Sequence, residues 1–184
     1  MKKLIHTAVV SILMTVMITS CGWHLRGSGQ VVSNISSVHI SGPAKKSDFY
    51  RTLSRSLKAS KVIVADSHTD AKYRIVATNL RSERRTATVS SSARVSEYQL
   101  TELVDVIIFA ADGRQLMPKT TMRTERFFDF DENDVQSKND EAELLKKEMI
   151  NELAQQIIRR LNAVSNRSNP SPSQENSTDN ATKG

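Results

Sequence analysis

The sequence predicts an α+β fold, in which an antiparallel meander of strands carries two helices on one face. Two observations support this prediction. Apolar residues recur at helical spacing in residues 47–60 and 140–164. Between those ranges the apolar period changes to two, and the strand candidates follow one another directly. Consecutive strands joined by short turns favour antiparallel pairing, and the apolar stripe of each helix needs a sheet face to cover it.

The C-terminal helix is the clearest element and is predicted over residues 140–164. Asn139 or Asp140 can cap it, and Glu141 and Glu143 lie in its first turn, where the helix dipole favours negative charge. Its core-facing stripe has an apolar residue at every fourth position, namely Leu145, Met149, Leu153, Ile157 and Leu161.

A shorter amphipathic helix is predicted over residues 47–60. Phe49, Leu53 and Leu57 fall on one of its faces, and Pro43 marks the turn that precedes it. The two helices therefore flank the strand region in the sequence, and each has one apolar side to bury.

There are five strand candidates, of which the first precedes the shorter helix and the other four lie between the two predicted helices. The strongest candidate has apolar residues at alternate positions, interrupted only by Glu102. After it, the tripeptide ADG at residues 111–113 predicts a hairpin turn. The candidates are residues 38–40, 62–64, 72–90, 98–109 and 119–130.

The N-terminus has the pattern of a bacterial lipoprotein signal peptide. Lys2 and Lys3 precede an apolar run over residues 4–17, and the tetrapeptide ITSC at residues 18–21 reads as a lipobox. The apolar run is shorter than the roughly 20 residues that a comfortable membrane span needs. The sequence therefore predicts export followed by cleavage.

Cleavage before Cys21, the only cysteine, removes the predicted signal peptide of residues 1–20 and frees that thiol for lipid attachment. Two or three acyl chains make a stable anchor, whereas one binds only marginally. Gly22 stands where an aspartate would favour retention at the inner membrane, so we expect an outer-membrane lipoprotein anchored on the periplasmic side. The alternative is an ordinary signal peptide whose cleavage site happens to precede a free cysteine.

Length and charge suit one exported domain. The chain has 184 residues and a formal charge of +6, and losing residues 1–20 with Lys2 and Lys3 leaves 164 residues and +4. This mild surplus fits an anionic partner such as a lipid headgroup or a phosphate, and an exported lipoprotein rarely meets nucleic acid. Residues 165–184 are polar and predict a disordered tail, which leaves residues 21–164 as the folded domain.

The sequence contains no recognisable catalytic or metal-binding motif. His24, His39 and His68 are scattered, without the spacing of metal ligands. The GSG tripeptide at residues 27–29 is too short for a nucleophile elbow. The acidic residues in 129–134 predict a solvated loop rather than a Ca²⁺ site. We therefore expect neither an enzyme nor a cofactor, apart from the covalent lipid on the N-terminal cysteine.

Five short segments resemble the LptE family of lipopolysaccharide (LPS) assembly lipoproteins, also called RlpB. The resemblance covers residues 21–164 in order, and the combination is more specific than any single piece. The segments are CGWHLR at residues 21–26, EYQ at 97–99, RFF at 126–128, KEM at 147–149 and QIIRRL at 156–161.

The resemblance implies a two-layer sandwich, with two helices packed on a mostly antiparallel four-stranded sheet. It also implies a non-catalytic outer-membrane lipoprotein that plugs the LptD β-barrel, helps that barrel to assemble, and binds LPS on its way to the outer leaflet. The alternative from another class is a freestanding periplasmic-side lipid carrier or chaperone, which would need an apolar pocket inside the domain.

In the family, basic residues that meet LPS lie in the loop before the long strand and at the start of the last helix. Lys138 matches the second place. At the first place the loop SSSAR at residues 90–94 has a serine where a basic residue is expected, and Arg94 is a candidate substitute. Arg84 and Arg85 are further candidates. Each of these charges taken alone also fits a solvated surface residue.

Overall fold

The computed structural model describes residues 35–168. The predicted signal peptide, Cys21 and most of the predicted tail lie outside this range. The described elements, in chain order, are β1 (Ser37–Ser41), α1 (Asp48–Ala59), β2 (Ile63–Val64), a single 3₁₀ turn (His68–Asp70), β3 (Tyr73–Val89), β4 (Val95–Ala110), β5 (Gln115–Asp129) and α2 (Val135–Ser168).

The sheet is mixed and has five strands in the order β2-β1-β3-β4-β5. β1 is parallel to both β2 and β3, whereas β3, β4 and β5 form an antiparallel meander. The α+β class with two helices is thus confirmed, but the expectation of four mostly antiparallel strands is corrected. The reason is that α1 carries the chain from the end of β1 back to its start, so β2 enters the sheet in the same direction.

The shorter helix begins where the sequence predicts. Ser47 is the N-cap of α1, and its hydroxyl oxygen accepts a hydrogen bond from the Tyr50 N–H at 3.2 Å. Phe49, Leu53 and Leu57 are buried on one face of the helix, as the spacing of apolar residues requires.

The longer helix extends beyond its predicted limits at both ends. It begins at Val135, and the Lys138 N–H donates to the Asp134 carbonyl at 3.1 Å, so neither Asn139 nor Asp140 is the cap. At the other end the helix reaches Ser168, and Ser165 is fully buried. The first four residues assigned to the tail therefore belong to the helix. Residues 135–139 contain no proline or glycine, so nothing in them interrupts the helix.

Both helices cover one face of the sheet, here called the helix-covered face, and the opposite face is the open face. A main core forms where α1 and the C-terminal half of α2 lie over β1 and the adjoining ends of β3, β4 and β5. A smaller distal cluster lies under the N-terminal half of α2. Its buried members are Leu100, Phe128 and Met149, with Tyr98, Ala142 and Leu145 packed against them.

β1 stops short, and this divides the sheet in two. It pairs with β3 only as far as Ser41 opposite Val76. Gly42 then turns the chain at φ +106°, and a Cβ atom there would lie 1.9 Å from the Ala77 carbonyl oxygen. We call the part of the sheet around β1 the proximal half. The distal half comprises residues 80–89 of β3 with the strand segments that they face.

A β-bulge marks the start of the distal half. The register between β3 and β4 shifts within residues 78–81, and Asn79 has φ 51°. The carboxylate of Asp105 on β4 is buried there and accepts hydrogen bonds from Asn79 at 2.8 Å and Thr121 at 2.7 Å. Lys119 pairs with it at 3.0 Å. These three donors hold the pKa of Asp105 well below its ordinary value, the Thr121 bond contributing most.

Candidate functional site

The far end of the distal half brings together three segments that are distant in sequence. They are the β3–β4 turn, the β5–α2 loop and the first turns of α2. The Phe130 N–H donates to the Ser96 carbonyl at 2.9 Å, and Arg94 in the β3–β4 turn forms an ion pair with Glu132 in the β5–α2 loop. The base of the site is thus fixed by contacts between loops.

Arg84 lies on the helix-covered face of β3, since it is paired with Leu100 of the distal cluster. Its guanidinium carbon is 3.8 Å from the centre of the Tyr98 ring, 5.3 Å from that of Phe128 and 5.8 Å from that of Phe130. The Tyr98 ring is in turn packed against both phenylalanine rings, with centroid separations of 5.8 Å and 5.0 Å. Arg84 therefore sits on an aromatic platform, which we define as Tyr98, Phe128 and Phe130.

Stacking on the platform uses the flat face of the guanidinium and leaves its N–H edges available. One edge is directed toward α2, where Nη1 donates to Asn139 Oδ1 at 3.4 Å. Among residues 35–168 Arg84 forms no ion pair with a carboxylate. A stacked arginine with free donors is suited to bind a phosphate or carboxylate in a bidentate manner.

Lys138 lies in the first turn of α2, beside Asn139, and its side chain is only 22% exposed. Its ammonium pairs with Glu141 at 2.9 Å. This hydrogen bond raises the pKa of Lys138, and the fields of Glu141, Asp129 and Asp134 add to the effect. A cation at a helix N-terminus is opposed by the helix dipole, so these carboxylates offset an otherwise unfavourable position.

Arg94 closes the turn between β3 and β4. Its carbonyl accepts from the Ser90 N–H at 2.7 Å, and Ala93 within the turn has φ 60°. The side chains of both Arg94 and its partner Glu132 are largely exposed. Arg94 is therefore at the same end as Arg84 and Lys138, in a pair that solvent screens.

Arg85 is not brought into this group. Neighbouring residues of a strand face opposite sides of the sheet, so Arg85 lies on the open face. There it pairs with Glu83 of the same strand at 2.8 Å. Of the four basic residues singled out in the sequence, Arg84 bonds to Asn139, the neighbour of Lys138, and Arg94 lies at the same end of the sheet in the β3–β4 turn.

The sequence did not point to the aromatic platform, and it offered Asn139 only as a helix cap. Tyr98 of β4 and Phe128 of β5 lie on the helix-covered face, and Phe130 follows β5 directly. Their meeting depends on the register that pairs Tyr98 with Phe128, and a period of two does not specify a register. The segments EYQ and RFF both belong to the family resemblance and lie opposite each other in β4 and β5. Their joint presence was the one signal in the sequence for this strand register.

A cleft of about 240 Å³ lies nearby, between the N-terminus of α1, the start of the distal part of β3, and α2. Its Glu102 carboxylate accepts a hydrogen bond from Ser82 Oγ at 2.5 Å. Burial raises the pKa of Glu102, and the Ser82 bond opposes that shift. Other residues that line it include Phe49, Leu80, Arg81, Lys146, Ile150 and Leu153.

Two further findings bear on the kind of site. Within residues 35–168, no three or more His, Cys, Asp or Glu side chains are arranged to hold a metal ion. Neither of the two helices in this range has a stretch apolar enough to cross a membrane. What the described part of the distal end offers is a set of positive charges backed by aromatic rings.

Residues 35–161 match the family model LptE, described as lipopolysaccharide-assembly. Two LPS-assembly lipoproteins LptE are each 26% identical to the chain. That of Photorhabdus laumondii subsp. laumondii aligns over 155 residues, 83% of this chain and 84% of the relative. That of Pectobacterium atrosepticum aligns over 150 residues, 80% of each.

Solved structures agree with this match. The uncharacterized lipoprotein B of Nitrosomonas europaea is 26% identical and superimposes with a TM-score of 0.65, over 77% of this chain and 91% of its own. The rare lipoprotein B of Shewanella oneidensis is 20% identical and has the same fold, with a TM-score of 0.65 over 72% of this chain and 98% of its own. Because the family model spans well over half of the sequence, the chain belongs to the LptE family of non-enzymatic lipopolysaccharide-assembly lipoproteins.

Proposed function

We propose that this chain is an outer-membrane lipoprotein, anchored through lipid on Cys21, that plugs and helps to assemble the LptD β-barrel. In this role it binds LPS during its delivery to the outer leaflet. Membership of the LptE family and the lipobox at residues 18–21 support the proposal. The described domain would supply the plug, and the acyl chains would hold it at the periplasmic side of the membrane.

The observation that carries LPS binding is that Arg84, Lys138 and Arg94 all lie at the distal end. Lipid A bears phosphates, which arginine and lysine bind through charge-assisted hydrogen bonds. Inside a barrel lumen, where water is limited, each such pair gains strength. Three cations from three segments at one end of the sheet, of which Arg84 rests on the aromatic platform, fit a ligand with more than one phosphate.

The three cations are not equivalent. Arg84 has free N–H edges and no competing carboxylate among the described residues, so we assign it the first phosphate. For Lys138 and Arg94, a phosphate must displace Glu141 and Glu132 respectively. Their pairs hold both cations in place until the ligand arrives. Arg85 lies on the open face, and we assign it no part in this site.

The freestanding lipid carrier is less well supported. A carrier must enclose acyl chains, which calls for a deep apolar pocket. The larger groove in the described domain, about 720 Å³ between α1 and α2, is lined by charged residues that include Asp48, Arg51, Arg55, Lys147 and Glu148. Such a lining suits water or headgroups rather than acyl chains.

The plug role is tested by purifying the full-length lipoprotein in detergent from its own outer membrane. We expect one large β-barrel, LptD, to copurify at near one-to-one stoichiometry and to resist high salt, because a plug is held by a large enclosed interface. Recovery of the lipoprotein without a barrel would refute the plug and favour the carrier.

The ligand chemistry is tested separately with lipid A that carries both phosphates and with lipid A from which they have been removed. We expect the purified protein to bind the phosphorylated form at least about tenfold more tightly, which corresponds to about 1.4 kcal/mol. Equal binding of the two forms would show that acyl chains rather than phosphates are recognised.

A further inference from the structure

One edge of the sheet is unpaired in the distal half and regular enough to accept another strand. Beyond Val76, β3 has β4 on one side and, within residues 35–168, no strand on the other. Residues 81–86 pair with residues 98–103 of β4 without a register shift, between two bulged regions. We call residues 81–86 the free edge. Their length, about 20 Å, is that of an ordinary strand.

The free edge is positively charged. It contains Arg81, Arg84 and Arg85 against a single acid, Glu83. Arg81 is exposed and forms no ion pair within the described part of the chain. Charged edge strands resist pairing with copies of themselves, because like charges then lie opposite one another. This composition disfavours a second copy and favours an acidic strand.

The cleft lies directly beside the start of the free edge. Phe49, Ile150 and Leu153 form buried apolar parts of its lining, Lys146 of α2 is an exposed cation at its rim, and Arg81 borders it from β3. A strand laid along the edge would thus find a place for one apolar side chain in the cleft and, on the open face, the cation Arg81 for a neighbouring carboxylate. Strand addition beside a side-chain pocket is a common mode of peptide recognition, in which the edge gives affinity and the pocket gives specificity.

The opposite edge of the sheet is different. β5 contains Pro118, which has no N–H to donate. Farther along β5, Thr124 is buried and both Thr124 and Arg126 donate to Glu152 of α2, at 3.2 Å and 2.6 Å. The helix therefore lies against that edge, whereas β3 borders an open cleft.

We propose that the free edge of β3 binds an extended acidic segment of a partner protein by strand addition. One apolar side chain of that segment enters the cleft beside Lys146, and a carboxylate on the next residue faces the open side of the sheet, where it pairs with Arg81. The inference concerns a protein partner and does not depend on LPS binding.

The test uses the full-length lipoprotein in its own cells, with a benzophenone amino acid placed at Glu83 or Arg85 in turn. Both positions belong to the free edge and lie two residues apart on the open face, so each variant keeps the helix-covered face intact. We expect light to join both to one acidic segment of one partner. The two-residue step along β3 should move the joined residue by two along that segment. The variant Arg81→Glu should reduce crosslinking from Arg85 about tenfold, because the cation that pairs with the carboxylate of the segment is reversed.

Two controls accompany the test. The same probe at Arg123 on β5 should not join that acidic segment, and Arg159→Glu, far from the free edge on α2, should leave crosslinking from Arg85 unchanged. The proposal is overturned by scattered attachment sites, by no crosslink above that at Arg123, or by a partner segment without acids. It is also overturned if the attached residues belong to segments 21–34 or 169–184 of this chain, since the edge would then be covered internally.

Discussion

The proximal and distal halves share three strands but differ in what covers them. In the proximal half five strands and two helices enclose side chains such as Ile75, Val106 and Ile108, none of which is exposed. In the distal half three strands and one helix bury a cluster of three residues, and β3 is exposed along most of its length. We infer that the proximal half supplies most of the stability of the domain. The distal half can therefore expose charged side chains without loss of the fold.

Continuous strands make this division possible. β3 and β4 have 17 and 16 residues, about three times the usual strand length, so each is held in the main core and still extends beyond it. The positions of Arg84 and Tyr98 are therefore set by a rigid sheet rather than by loops. Rigid placement matters because a charge that is already in position loses little freedom on binding.

Truncation of one core residue in each half should show which half supplies more of the stability. Leu53→Ala in the main core should lower the free energy of unfolding by about 2–5 kcal/mol. Leu100→Ala in the distal cluster should cost roughly half as much, about 1–2 kcal/mol, because the site is near the surface and can collapse. Urea titration of both variants measures the difference. Equal losses would contradict the assignment of stability to the proximal half.

The end of β1 gives the second test. Gly42→Ala should cost at least about 2–3 kcal/mol, since the residue has φ +106° and a Cβ would clash with the Ala77 carbonyl. Gly113 is the matched control, because it has φ +83° but a Cβ added there would have no neighbouring atom within 4 Å. Gly113→Ala should therefore cost only about 1 kcal/mol. If Gly42→Ala and Gly113→Ala have similar unfolding midpoints in urea, the close packing of β1 on β3 does not contribute to stability.

The third test concerns ligand binding at the distal end. Arg84→Ala should weaken LPS binding about 10- to 100-fold, equivalent to about 1.5–3 kcal/mol for a charged hydrogen bond. Arg84→Lys should recover only part of this, because a lysine neither stacks flat on the platform nor binds bidentately. Arg94→Ala should have a smaller effect. The control is Arg55→Ala, which removes an exposed cation on α1. This variant should bind LPS as tightly as the unchanged protein does.

The smallest expected effects concern two carboxyl groups on opposite faces of β4, at the boundary of the halves. The pKa of Asp105 is lowered from 3.8, so the stability that it contributes is present above that pH and is lost as the pH falls below it. The pKa of Glu102 is raised from 4.5, so its ionised form opposes folding as the pH rises above 4.5. The two groups thus give opposite trends.

At pH 7, Asp105→Asn should lower the melting temperature and Glu102→Gln should raise it slightly. Melting curves between pH 3 and pH 7 measure both trends. A Glu102→Gln variant that is less stable than the parent at pH 7 would show that the Ser82 bond outweighs the cost of burial.

The sequence predicted nearly every element, because each depends on local periodicity. It did not predict the parallel insertion of β1 between β2 and β3, since a period of two identifies faces and not neighbours. It placed the start of the last helix five residues late, at Asp140 rather than Val135, because the acids there resemble a first turn. For the site, the sequence supplied the basic residues, whereas the aromatic platform under Arg84 needed the strand register.

The central claim is that the distal half binds LPS while the proximal half only supports it. Hydrogen–deuterium exchange of the full-length lipoprotein in detergent, with and without LPS, tests this most directly. We predict slow exchange in β1 and the proximal part of β4 in both samples, and LPS-dependent protection in residues 84–98 and 128–141. Protection confined to β1 and α1, or no change in residues 84–98 and 128–141, would contradict the account.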